Sequence, residues 1–129
     1  MRRLAVGAAL LGALALLPAA SGASPSVRWF HSPSRNIECE VAWHDSRGTY
    51  AYCQTDAPPR SVTLHANGTL KTCTGGRCIG NGPEGAFTLA YGTSTSVGEF
   101  RCTSLRAGMR CVVPSGRGFL LARAGITRL

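Results

Sequence analysis

Six cysteines carry the densest chemistry in this chain of 129 residues: Cys39, Cys53, Cys73, Cys78, Cys102 and Cys111. A thiolate can ligate a metal, run redox exchange, or be locked into a structural bridge, and spacing separates the three. Cys73 and Cys78 bracket the stretch CTGGRC, and Cys102 and Cys111 bracket CTSLRAGMRC. Neither interval suits the knuckles of a tetrahedral zinc site. The C-x-x-C unit of thioredoxin-like exchange does not occur. An even cysteine count in a short exported chain reads instead as a disulfide framework.

Turn geometry then assigns the pairs. If Gly75-Gly76 forms a two-residue hairpin loop with the positive φ that glycine adopts cheaply, Thr74 faces Arg77. Cys73 would then face Cys78 at a non-hydrogen-bonded position, with Cα atoms roughly 4.5 Å apart. Folding CTSLRAGMRC about Arg106-Ala107 places Cys102 opposite Cys111 in the same way. Cys39 and Cys53 flank a longer hairpin turning at His44–Gly48, where Gly48 suggests a bulge that would offset the pair. The expected bridges are the three local ones, Cys39–Cys53, Cys73–Cys78 and Cys102–Cys111.

The remaining reactive residues do not assemble into a catalytic pattern. His31, His44 and His65 fall at no ligand spacing, so no metal or other cofactor is expected. Ser94 in GTSTSVG lacks the second glycine of a nucleophile elbow, and that stretch reads as a Ser/Thr-rich turn. The six carboxylates are Glu38, Glu40, Asp45, Asp56, Glu84 and Glu99. Glu38 and Glu40 share one strand face and could in principle serve as the carboxylate pair of a glycoside hydrolase, but two exposed charges at a strand edge are the better reading, and a domain this small leaves little room for a substrate cleft. No catalytic residue is assigned.

Compartment and charge say more. Arg2-Arg3, the apolar run Leu4–Leu17 and Ser21-Gly22-Ala23 make up the three regions of a secretory signal peptide over residues 1–23. Residues 24–129 are then the secreted domain, with no further stretch able to span a bilayer. Taking Arg2 and Arg3 from the net charge of +8 leaves +6, and all of it lies beyond residue 99. There, Arg101, Arg106, Arg110, Arg117, Arg123 and Arg128 stand without a single acid. Arg101, Arg106, Arg110 and Arg117 are the candidate anion-binding residues. Their partner would be an anionic cell-wall polymer, a lipid surface or an acidic protein. Nucleic acid is disfavoured, since no aromatic residues interleave with the charges.

The elements that must position these groups are strands. Apolar and polar residues alternate in SVRWFH (26–31), TYAYC (49–53), SVTLHA (61–66) and EFRCT (99–103). Asn67-Gly68 marks a hairpin, so residues 61–78 read as a meander. FTLAY (87–91), MRCVV (109–113), GFLLA (118–122) and ITRL (126–129) read as further strands, and no helical period appears. The expected fold is all-β: a small compact antiparallel barrel or sandwich built from hairpins and stapled by three disulfides. Trp29, Phe30, Val41, Trp43, Tyr52, Val62, Leu64, Phe87, Leu89, Phe100, Val113, Phe119 and Leu121 are the expected core.

The segments FHSPSRNIEC (30–39), LAYGTSTSVGEFRCTS (89–104), GMRC (108–111) and SGRGFLLARAGI (115–126) together resemble a family of small secreted actinobacterial proteins, catalogued as a domain of unknown function. The resemblance implies an exported β domain with paired cysteines, and it implies no activity. Members of that family carry glycine where this chain has Arg35, a departure implying that the turn does not require positive φ. The function expected from charge and compartment is a non-catalytic extracellular or cell-wall-associated binding module. The alternative is a small secreted hydrolase acting on a polysaccharide or peptide.

Overall fold

Among the described residues, side-chain alternation builds eleven strands, accompanied by a single turn of 3₁₀ helix. The computed structural model describes residues 12–17 and 26–129. The Arg2-Arg3 start and the Ser21-Gly22-Ala23 cleavage site of the expected signal peptide lie outside the described residues. β1 (Val27–His31), β2 (Ile37–Asp45), β3 (Gly48–Thr55), β4 (Arg60–His65) and β5 (Leu70–Thr74) run up and down as consecutive hairpins. The two-residue β6 (Phe87–Thr88) adds parallel to β1 and completes a six-stranded sheet. β7 (Ser94–Val97), β8 (Phe100–Leu105), β9 (Gly108–Val112), β10 (Gly118–Ala122) and β11 (Gly125–Arg128) form a second, five-stranded meander. β10 packs on β3 and β4, and β2 on β7, so the two sheets stack as a sandwich rather than closing into a barrel.

The core is the seam between the sheets. Phe30, Val41, Val62, Leu64, Phe100, Phe119 and Leu121 fill it, with Ile37, Ala51, Val97 and Met109. Four cysteines belong to it as well. Cys39 faces Cys53 in the β2–β3 ladder and Cys102 faces Cys111 in the β8–β9 ladder, each pair bonded with Cα atoms 4.1 Å apart. The two bridges, one from each sheet, meet in the middle, where Cys53 Sγ lies 3.8 Å from Cys111 Sγ.

Several sequence expectations are corrected. Trp29 and Tyr52 are only partly buried, and Phe87 is exposed. Alternation requires this: Phe30 and Cys53 point inward, so Trp29 and Tyr52 must point outward. The stretch at Ser94–Val97 is an edge strand rather than a turn, with Thr95 and Val97 inside and Ser94 and Ser96 outside. FTLAY yields only two strand residues. The bulge near Gly48 lies in β2, between Ala42 and Asp45, with His44 at φ 48°. Its extra residue aligns Cys39 with Cys53 rather than offsetting them, because an unbulged ladder continuing from Asp45↔Gly48 would set Gln54 opposite Cys39. Arg35 has φ 61°, so the turn at 32–36 does adopt the left-handed conformation.

The CTGGRC stretch also folds differently from the expected hairpin. β5 ends at Thr74 and Gly76–Cys78 is the 3₁₀ turn, so the meander stops before Cys78. Cys73 sits across the ladder from Ser61, and its bond to Cys78 spans 5.6 Å between Cα atoms. This bridge ties down the start of the following loop instead of closing a ladder.

Candidate functional site

Inward Cys102 and Cys111 force their neighbours Arg101, Thr103 and Arg110 onto the outer face of the five-stranded sheet. The register pairs Arg101 with Val112 and Thr103 with Arg110, so the two exposed arginines are diagonal neighbours on adjacent strands. Ser94 from β7 joins them: its hydroxyl shares a 2.7 Å hydrogen bond with Thr103 Oγ1 and accepts one from Arg101 Nη2 at 3.5 Å. Among the described residues neither arginine has a carboxylate partner.

The other two candidates lie elsewhere. Arg106 occupies the β8–β9 turn, with its guanidinium 4.9 Å from the centroid of the Tyr91 ring. Arg117 precedes β10 at the opposite end of that sheet, where its Cβ and Cδ pack against Gly68 of the β4–β5 turn. Arg123, which charge counting did not single out, shares a cleft with Arg106. The repeated tripeptide Arg-Ala-Gly at 106–108 and 123–125 was the available signal.

The outer face of the six-stranded sheet has a different character. The ladders place Trp29, Glu40, Tyr52 and Thr63 in one row, and His31, Glu38, Gln54 and Ser61 in the next. The loop following Cys78 folds back over these rows and is fastened by side chains. The Gly80 amide donates to Gln54 Oε1 at 2.9 Å, and Gln54 Nε2 donates to the Gly80 carbonyl at 2.7 Å. The Tyr52 hydroxyl lies 2.9 Å from the Cys78 carbonyl and 2.8 Å from Gln54 Oε1, so its one hydrogen is shared. Between sheet and loop is a cleft of about 170 Å³ lined by Trp29, Glu38, Glu40, Tyr52, Gln54 and Pro83, among others. Drug-sized pockets begin at roughly 300 Å³, so this cleft has room for about one ring.

Glu38 and Glu40 therefore meet in a cleft, which their sequence spacing allowed. Both carboxylates are already engaged. Glu40 Oε1 accepts from the Tyr50 hydroxyl at 2.8 Å and lies 3.8 Å from Arg47 Nε. Arg47 in turn sits 5.0 Å over the Trp29 ring. Gln54 Nε2 donates to Glu38 Oε2 at 3.4 Å. Burial, and then the hydrogen bond to Glu40, push the Tyr50 hydroxyl up to about 12. Burial also raises Tyr52. Both phenols therefore stay protonated donors across the physiological range.

The histidines stay apart: His31 Nδ1 is 3.1 Å from the Ser32 carbonyl, His44 meets the Trp43 ring edge-on, and His65 is exposed. Among the described residues no three His, Cys, Asp or Glu side chains converge on a point that could hold a metal ion. Among the described residues no helix is long and apolar enough to cross a membrane. In comparisons with known proteins, no family model, no curated protein and no solved structure matches this chain.

Proposed function

We propose that this chain is an exported, non-catalytic binding module of the extracellular space or cell wall, related to the small secreted actinobacterial proteins whose motifs it resembles. It holds an anionic wall polymer on the outer face of the five-stranded sheet. The carrying observation is the diagonal pair Arg101 and Arg110, exposed and without carboxylate partners, in a segment containing no acid. A sheet face with spaced cations suits an extended polyanion, which gains several weak contacts at once. Three disulfides fit an oxidising compartment, which supports export.

Binding of a teichoic acid preparation across a salt series tests this reading. Replacing Arg101 and Arg110 together with Glu should cost the fold under about 0.5 kcal/mol per site, because both are exposed. Binding should weaken and become less dependent on ionic strength. An unchanged isotherm in the folded double variant would overturn the proposal.

One observation favours a second reading as a small secreted hydrolase. Glu38 and Glu40 line the same cleft of about 170 Å³. Turnover of a wall polysaccharide or peptide that disappears in Glu38→Gln or Glu40→Gln would select that reading.

A further inference from the structure

Two hairpins of the five-stranded sheet turn on the same tripeptide. In β8–β9 the closing pair is Leu105↔Gly108 around Arg106-Ala107, and in β10–β11 it is Ala122↔Gly125 around Arg123-Ala124. Gly108 and Gly125 have φ of 149° and 155°, which glycine tolerates and L side chains rarely adopt. A side chain on Gly108 would also collide with the Leu121 carbonyl of the neighbouring strand. Because β8 and β10 run in the same direction, both turns lie at one end of the sheet, and each offers its first residue, an arginine, there.

At that end the turns meet the 32–36 turn of the other sheet and Tyr91, enclosing a cleft of about 200 Å³. Ser32, Ser34, Asn36, Tyr91, Arg106 and Arg123 supply its polar lining, and no carboxylate contributes. Neither arginine has an acidic partner among the described residues. The opposing wall is fixed. Asn36 Nδ2 donates to the Ala57 carbonyl at 3.2 Å, and the Ala57 amide donates to Asn36 Oδ1 at 3.0 Å. The Ser32 and Ser34 hydroxyls share one hydrogen bond of 2.9 Å. Ser32 Oγ also accepts from the Ile37 amide and Ser34 Oγ from the Asn36 amide. Two hydroxyl hydrogens serve one bond between them, so one donor is left over for the cleft.

We propose that this cleft is a second binding site, specific for a phosphate group, in which Arg106 and Arg123 share one anion and the spare serine hydroxyl completes its coordination. A carboxylate carries one charge and is satisfied by one bidentate guanidinium. Two unpaired guanidiniums beside a hydroxyl donor match the charge of about −1.5 to −2 and the several acceptor oxygens of a phosphate monoester. The Tyr91 ring, 37% exposed, steadies Arg106 by a cation–π contact and forms part of the wall of the cleft. This site is independent of the Arg101–Arg110 face.

The test follows the arginine Nε–Hε signals by NMR during titration with inorganic phosphate, above its second ionisation, at constant ionic strength. Acetate is the carboxylate control. Saturable shifts at both Arg106 and Arg123 with phosphate, and none with acetate, are expected. Arg106→Gln and Arg123→Gln should each weaken phosphate at least tenfold, since each removes a charge-assisted contact. Both residues are exposed turn positions, so a dispersed spectrum should persist. The Arg101→Glu/Arg110→Glu variant should bind phosphate as well as the parent, whatever it does to polymer binding. Linear shifts, an equal response to acetate, or unchanged affinity in Arg123→Gln would each overturn the site.

Discussion

The contact between Cys53 Sγ and Cys111 Sγ makes two bridges from different sheets a single energetic unit. Replacing Cys39 and Cys53 by alanine tests this. The Cys39–Cys53 bond spans a sequence separation of 14, and releasing a loop of that size to the unfolded chain costs about 3 kcal/mol. Both side chains are at most 4% exposed, so truncating them adds a void worth about 1–2 kcal/mol. The sum, about 4–5 kcal/mol, approaches the roughly 5–15 kcal/mol that holds a typical domain. Removing Cys102–Cys111, separation 9, should cost slightly less. The informative quantity is the quadruple variant. Once one bridge is gone, the other already borders a void, so its removal should cost about 0.5–1 kcal/mol less than in the parent. Urea unfolding of all four proteins, in an osmolyte that keeps the weakest folded, measures this. Additivity within about 0.3 kcal/mol would refute the coupling and with it the packing of one bridge on the other.

Cys73 is exposed and Cys78 half-buried, whereas the other four cysteines lie in the core, so a mild reductant should reach this bridge first. Alkylation followed by peptide mapping should label Cys73 and Cys78 alone, and iodide should then quench Trp29 more strongly as the loop over its cleft loosens; label on Cys39 or Cys111 at that stage would contradict the burial. The Tyr50 phenol, pushed up to about 12 from an unfolded value near 10, predicts a pH dependence whose sign is fixed. The unfolded chain releases that proton first, so its contribution to stability is intact below about pH 10 and is lost as pH climbs to about 12. The fall in unfolding midpoint from about pH 9 to pH 11.5 should be smaller in Tyr50→Phe than in the parent, with Tyr52 accounting for part of what remains, and an equal loss in variant and parent would place the effect elsewhere.

The hairpins were readable because each depends on residues that are neighbours in the chain. Asn67-Gly68 turns β4 into β5, GFLLA is β10, and Cys102 faces Cys111 because only a two-residue turn separates matched strands. The pairing Cys39–Cys53 was readable for the same reason, although its bulge was not. Errors arose where size was trusted over alternation: Trp29 beside Phe30 and Tyr52 beside Cys53 could not both point inward, and the larger residue in each pair points out. Ser94–Val97 was missed because its short polar side chains carry little hydrophobic alternation, and pairing with β8 makes it a strand.

By itself, then, the sequence determined the β2–β3, β4–β5 and β8–β9 hairpins, the local cysteine pairs and the excess of arginine after residue 99, all of which follow from near-neighbour geometry and composition. Only the tertiary structure decided that β10 packs on β3 and β4, that two bridges touch in the core, that the Cys78–Ala86 loop lies over Glu38 and Glu40, and that Arg106 and Arg123 line one cleft while Arg117 sits at the far end. The alternation of a strand tells which residues share a face but not what that face will meet. That depends on how two twisted sheets stack, and stacking is set by contacts between residues dozens of positions apart that leave no local pattern in the chain.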